Sequence, residues 1–212
     1  MQVVIRKASI LAVGCCFMLL LTQSCCSEEA REPERRRPAA HAGRFYPADP
    51  QRLTAMLAGM LEQAGDERRR RPLAVIVPHA GYVYSGQTAA RAYRLLQGSA
   101  VKRIILLAPS HYASVKGIVI NAQAYETPLG VYRLDRQALE LLQRQPFPGA
   151  VSRIAGSQEH SDEVQIPFLQ SVLPDARLVP LIVGDLTEAQ LGQAARAVQA
   201  IIDEQTVIVA SS

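Results

Sequence analysis

The feature that most constrains the fold of this chain is a pair of short aliphatic runs, each closed by proline and histidine. Residues 73–79 read LAVIVPH, and residues 104–111 read IILLAPSH. Continuous aliphatic runs of this length are typical of buried parallel strands. Ligands of open α/β sheets bind beyond the carboxyl ends of such strands. The pattern therefore places His79 and His111 where the two imidazoles could share one metal ion.

Helix and strand signals alternate along the rest of the chain. Asp49, Asp135 and Thr187 are expected to be N-caps of helices. Helices are predicted at about 50–64, 86–97, 136–145, 161–173 and 188–202, and Pro167 could kink the fourth. Further strands are predicted at 103–108, 117–120, 178–183 and 206–210. The alternation predicts an α/β fold with a mostly parallel sheet flanked by helices on both faces. The last helix is expected to bury one apolar face, made of Leu191, Ala194, Ala195, Val198, Ile201 and Ile202.

The distribution of charge does not indicate a nucleic-acid partner. The 212-residue chain has 23 Lys and Arg against 19 Asp and Glu, a formal net charge of +4. Its arginines concentrate at 35–37 and 68–71, beside prolines and glutamates and without interleaved aromatic residues. A nucleic-acid surface requires a longer basic patch. We interpret both runs as solvated linker and predict no binding to nucleic acid.

The first 24 residues have the pattern of a signal peptide or lipoprotein leader. Two basic residues precede an apolar stretch at 8–21, which is shorter than the roughly 20 residues of a comfortable membrane span. Cys25 would be the lipidated residue of a lipoprotein, although Thr22 stands where such signals prefer an aliphatic residue. We predict an exported protein, periplasmic or held at the membrane by its leader or a lipid. The protein is cytoplasmic if the leader is not functional.

Composition divides the rest of the chain into a tether and one domain. Residues 25–40 are rich in Glu, Arg, Pro and Ala, which predicts a disordered tether. Residues 41–212 are sufficient for one α/β domain of ordinary size. All four cysteines precede residue 27, so this domain offers no thiolate to a metal. The sequence ends directly after its last predicted strand, which we interpret as a C-terminal truncation.

Glu159 and His160 are the other candidate site residues. They lie at the start of a predicted helix, where negative charge is favoured on structural grounds alone. A metal held by two histidines needs a third ligand and open positions. Either residue could provide that ligand or carry protons. Imidazole suits iron, copper, zinc and nickel, so His79 and His111 do not decide the metal.

Six segments of the chain resemble the Memo family, whose bacterial members are called AmmeMemoRadiSam system protein B. They occur in family order and together cover about residues 38–212. The matching segments are 42–47 (AGRFYP), 78–86 (PHAGYVYSG), 108–112 (APSHY), 125–130 (YETPLG), 159–170 (EHSDEVQIPFLQ) and 179–184 (VPLIVG).

The resemblance implies a fold like that of the class III extradiol dioxygenases and a metal site of two histidines and one cysteine. The histidines correspond to His79 and His111, and the cysteine belongs to a segment beyond Ser212. Iron(II) is the implied metal, with copper as the alternative. The implied partners are radical-SAM and AMMECR-type proteins, while the small-molecule or peptide ligand is undefined.

Two functions remain open on this basis, beside the alternative of an α/β domain whose histidines are vestigial. One is a non-haem iron oxygenase or redox enzyme in which His160 and Glu159 are catalytic. The other is a non-catalytic protein that binds metal or peptide in a dioxygenase-like pocket.

Overall fold

A computed structural model describes residues 35–65, 71–121, 123–152 and 158–212, all of which belong to one unit, Pro33–Ser212. The predicted leader, most of the predicted tether and most of the second arginine run lie outside the described residues. The strands are β1 Arg36–Arg37, β2 Ala74–Val77, β3 Arg103–Pro109, β4 Ile118–Asn121, β5 Ala124–Thr127, β6 Gly130–Tyr132, β7 Gly149–Ser152, β8 Arg177–Val183 and β9 Thr206–Ser211. The helices are α1 Pro50–Gln63, α2 Tyr82–Arg94, α3 Arg136–Gln143, α4 Ile166–Val172 and α5 Glu188–Gln199. None of these helices is long and apolar enough to cross a membrane.

The main sheet confirms the predicted fold class. Its strand order is β2-β9-β3-β8-β4-β7, and every neighbouring pair is parallel except β4 with β8. A second sheet of order β1-β5-β6 consists of three short strands, and the sequence pattern revealed neither these nor β7. Helices flank the sheets, so the chain has a mixed α/β architecture. The topology inserts β9 between the two strands that precede His79 and His111.

Burial differs between the two aliphatic runs. β3 lies between β8 and β9, and its residues Ile104, Ile105 and Leu106 are fully buried, as its sequence predicts. β2 is at the edge of the sheet, where Val75 and Val77 are buried but Ile76 is 75% exposed. The interpretation of residues 73–77 as a fully buried strand is therefore wrong, because an edge strand here buries only alternate side chains.

Local capping chemistry determines where most helices begin. The side chain of Asp49 accepts a hydrogen bond from the backbone of the first turn of α1, and Asp135 does the same for α3. Thr187 forms the predicted capping box with Gln190. Helix α2 begins at Tyr82, four residues before the predicted start, because its N-cap is a glycine without a side-chain signal.

The segment that carries Glu159 and His160 is less regular than predicted. A 3₁₀ turn spans Glu163–Gln165, and α4 begins only at Ile166. Pro167 therefore occupies the first turn of α4, where its missing N–H costs no helical hydrogen bond, and it does not kink the helix.

The buried face of α5 is narrower than its apolar sequence suggests. Ala194 and Ala197 are buried, whereas Leu191 is 59% exposed and Ala195 is exposed as well. The predicted face is thus wrong in part: Ile201 is buried and Val198 packs against the core, but Leu191, Ala195 and Ile202 are exposed.

Five of the seven tyrosines are buried. Burial is the largest cause that raises the pKa of each of these phenols. The five buried tyrosines are Tyr46, Tyr82, Tyr93, Tyr125 and Tyr132.

Candidate metal centre

The carboxyl ends of β2 and β3, which lie on either side of β9, bring His79 and His111 together. Pro78 directly follows β2, and Pro109 is the last residue of β3. Proline has no N–H to donate to a neighbouring strand, and in both cases the strand ends at the proline or directly before it. The ring centroids of the two histidines are 5.1 Å apart. The structure therefore places both imidazoles at the same end of the sheet, where the carboxyl ends of β2 and β3 lie.

His160 is the third imidazole of the cluster. Its ring centroid lies 5.4 Å from that of His79 and 4.7 Å from that of His111. One ligand atom from each of the three histidines lies within 4.8 Å of the others. Within the described ranges, this is the only group of three or more His, Cys, Asp or Glu residues arranged to hold a metal.

Glu159 lies behind His111 rather than in the imidazole cluster. Its side chain is fully buried, and its Oε2 accepts a 2.6 Å hydrogen bond from the backbone N–H of His111. Its Oε1 lies 2.9 Å from Nδ1 of His111 and also accepts backbone N–H groups of His160 and Ser161. Burial opposes ionisation, but the hydrogen bonds from His111 and Ser161 lower the pKa of Glu159 to about 2. The carboxylate therefore accepts the Nδ1–H of His111 and leaves Nε2 with the free lone pair.

Two of the three imidazoles favour the neutral state. Burial lowers the pKa of His79, and the nearby His111 lowers it further, against the effect of Glu159. Burial also lowers the pKa of His160, where Glu159 opposes and the other histidines reinforce the shift. Neutral imidazole is the form that binds a metal. The surroundings thus keep these two side chains available as ligands at neutral pH.

Arg37 contacts the loop that carries Glu159 and His160 and helps to hold it in place. Its side chain is 1% exposed, and its Nη1 forms a 2.7 Å ion pair with Asp162. Nη2 lies 3.2 Å from a carboxylate oxygen of Glu163 and donates to the backbone carbonyl of Glu159. The interpretation of residues 35–37 as solvated linker is wrong for Arg37, because β1 pairs with β5 and carries this side chain into the interior.

Glu163 joins the segment around His41 to the same loop. Its carboxylate accepts the backbone N–H groups of Ala40 and His41 and the hydroxyl of Tyr46. His41 is itself buried, with its ring 5.8 Å from that of His160 and its Nε2 3.0 Å from the carbonyl of Gln158. The fourth histidine therefore packs against the cluster from outside.

Sequence reasoning missed the residues that support the imidazoles. Arg37, Asp162, Glu163 and Ser211 were not among the candidates, although the two acidic residues follow His160 closely in the chain. A signal was available for Ser211, because a polar residue at the carboxyl end of a parallel strand lies at the edge where ligands bind. No local signal reveals Arg37, whose ion-pair partners lie 125 and 126 residues away.

Comparison with known proteins shows which family the sequence is similar to. A family model described as Memo-like protein matches residues 37–212. The protein memo-1 homolog of Caenorhabditis elegans is 38% identical over 156 residues, which cover 72% of this chain and 44% of that protein. MEMO1 family proteins of Archaeoglobus fulgidus and Caldivirga maquilingensis are 33% and 35% identical, and the alignments cover 81% and 84% of this chain. These two alignments span 64% and 67% of the archaeal proteins. The chain thus spans about half to two thirds of the length of these curated relatives.

Proposed function

The chain belongs to the Memo family, and we propose that it binds iron(II), with copper as the alternative, through His79 and His111. The observation that carries this proposal is the convergence of three imidazoles, one ligand atom of each within 4.8 Å of the others. We propose further that the bound metal serves a non-haem oxygenase or redox reaction of an AmmeMemoRadiSam system.

The residues present fit a divalent transition metal. Imidazole nitrogen is of the softness that iron, copper, zinc and nickel accept. His111 has its Nδ1 held by a buried carboxylate, the usual second partner of a metal-ligating histidine. Two or three protein ligands leave further positions open. Iron is favoured among these metals by the resemblance to the extradiol dioxygenases.

The side chains around the metal divide into ligands, a proton carrier and a positioning group. Bound iron would supply the one-electron and oxygen chemistry of the reaction. His79 and His111 hold the metal, and His160 accepts or returns a proton because its lowered pKa leaves it neutral at pH 7. Glu159, completely buried, acts through His111 by fixing the orientation and tautomer of that ring.

Metal analysis and oxygen uptake test the proposal. The purified protein is loaded with iron(II) under anaerobic conditions, and its metal content and oxygen consumption are measured beside those of His79→Ala and His111→Ala. His41→Gln is the matched control, because it changes a buried histidine that lies outside the cluster. We expect stoichiometric iron in the wild type and the control, and a loss of iron in the two cluster variants.

The outcomes separate the two functions. Iron-dependent oxygen uptake that disappears in His79→Ala supports an enzyme. Tight metal binding without turnover, together with a retained peptide partner, favours the non-catalytic binding protein. A wild-type protein that binds no metal, and that is unaffected by both histidine substitutions, contradicts the metal site itself.

We also propose that the leader exports the protein and that radical-SAM and AMMECR-type proteins act with it. The support is the basic and then apolar N-terminus and the family resemblance. Cell fractionation of the tagged full chain, with and without Cys25→Ala, tests export and lipid attachment. Recovery of the tagged chain in the cytoplasm alone contradicts export.

A further inference from the structure

Ser211 lies at the carboxyl end of β9, between the strands that lead to His79 and His111. Its backbone is in register with Val77, two residues before His79. The side chain is 7% exposed. Three polar groups surround its hydroxyl oxygen: the backbone carbonyl of Ser161 at 2.6 Å, Nε2 of Gln165 at 2.9 Å and Nδ1 of His79 at 3.1 Å.

The amide of Gln165 can have only one orientation in this environment. The carbonyl of Pro78, which can only accept, lies 3.2 Å from one end of the amide. That end is therefore the NH₂ group, and the hydroxyl of Tyr93 donates to the oxygen at the other end, at 2.7 Å. The same NH₂ group contacts Ser211, so Gln165 donates a hydrogen bond to the Ser211 oxygen.

The single hydroxyl proton of Ser211 is also accounted for. The carbonyl of Ser161 can only accept, and it lies 2.6 Å from the hydroxyl oxygen, so the proton points there. Since the hydroxyl has no second proton, Ser211 can only accept from His79. The hydrogen bond between them therefore requires a proton on Nδ1 of His79.

We propose that Ser211 is a positioning residue that holds His79 as the Nδ1–H tautomer and leaves its Nε2 lone pair facing the metal. Glu159 imposes the same tautomer on His111, so a neutral hydroxyl and a carboxylate perform one task at two ligands. Gln165, which is 1% exposed, keeps the Ser211 hydroxyl in place. The tautomer belongs to the metal-free protein, and only its consequence for metal affinity rests on the proposed function.

Nitrogen NMR of the metal-free protein tests the tautomer directly. The four histidines are labelled with ¹⁵N, the signals of His79 are assigned by their absence in His79→Gln, and spectra are recorded under mildly alkaline conditions. We expect the His79 Nδ1 signal at the position of a protonated nitrogen and the Nε2 signal at that of an unprotonated one. In Ser211→Ala the acceptor is gone, and the population of the Nδ1–H tautomer falls. A wild-type His79 in the Nε2–H form overturns the proposal without any variant.

Titration with iron(II) alone measures the consequence for the metal. Loss of an outer hydrogen-bond partner typically weakens metal binding by about 10–100-fold, and we expect this for Ser211→Ala. Ser171→Ala is the matched control, because that hydroxyl donates only to the carbonyl of Pro167 within α4. A wild type that shows the Nδ1–H tautomer but binds no iron contradicts the proposed function and not the tautomer. Unchanged tautomer and affinity in Ser211→Ala contradict the role of Ser211.

Discussion

Replacing Arg37 with alanine is expected to destabilise the whole domain. The guanidinium is 1% exposed and forms ion pairs with Asp162 and Glu163, which are 0% and 1% exposed. The substitution leaves both carboxylates buried without their cation. It also removes the hydrogen bond to the backbone carbonyl of Glu159. The loss therefore acts on the fold and on the loop that carries His160.

The hydrogen bonds that the two carboxylates keep determine how much stability the substitution removes. Removing one partner of a buried ion pair costs about 3–5 kcal/mol. Glu163 keeps the hydroxyl of Tyr46 and two backbone N–H groups, and Asp162 keeps the hydroxyl of Tyr125. These donors place the expected loss at the lower end, about 3 kcal/mol. For a domain of this size, such a loss lowers the Tm by about 6–12 °C.

Chemical and thermal unfolding of Arg37→Ala measure this loss. Arg36→Ala is the matched control, because Arg36 precedes it in the same strand and is exposed; its effect should stay within about 0.5 kcal/mol. Adding Asp162→Asn to Arg37→Ala should recover part of the stability, since it removes one uncompensated charge. If Arg37→Ala loses no more stability than Arg36→Ala, the buried ion pairs do not stabilise the fold.

Three further predictions concern the site and the core. Glu159→Gln should weaken iron binding about 10–100-fold, because an amide cannot accept every N–H that the carboxylate accepts, whereas the exposed Glu126→Gln should leave the affinity unchanged in the same titration. The pKa of each of the five buried tyrosines is raised in the folded state, so stability present below pH about 10 is lost above it; phenolate absorbance should rise together with the loss of circular dichroism, and ionisation of these tyrosines in the folded protein would refute the reasoning. Gly184→Ala should destabilise by about 1–3 kcal/mol, because its Cβ would lie 2.0 Å from the carbonyl oxygen of Val115. Gly59→Ala should instead stabilise α1 by about 0.5–1 kcal/mol, because nothing lies within 4 Å of that position; equal effects of the two glycine substitutions on unfolding would contradict this steric argument.

The parts of the fold that follow from local chemistry were predictable from the sequence. The caps at Asp49, Asp135 and Thr187 depend on side chains that contact the backbone within three residues, so their signals are contained in a short window. The interior strand β3 is predicted by its continuous aliphatic run. The short strands of the second sheet were missed because their stability depends on pairing with distant segments rather than on composition.

In the candidate site, too, some features were predictable from the sequence, whereas others depend on contacts between distant residues. The proximity of His79 and His111 could be predicted, because each follows a parallel strand and the carboxyl ends of parallel strands lie at the same end of the sheet. His160 could be singled out, but its distance from the other two depends on a loop that Arg37 and Glu163 hold in place. Those ion pairs join residues more than 120 positions apart. Composition places Arg37 in a linker because charge alone does not reveal a buried partner.

The electrostatics of the supporting residues connect the candidate site with the N-terminal strand. Of the three buried carboxylates in this region, those of Asp162 and Glu163 pair with the guanidinium of Arg37, and that of Glu159 contacts His111. The group therefore has an excess of negative formal charge beside three imidazoles, which a divalent cation would offset. Metal binding to the folded protein would then stabilise the same loop that Arg37 holds, since a ligand that binds only the native state adds to its stability. Strand β1 is distant in sequence from the three clustered histidines, yet its buried arginine helps to position them for metal binding.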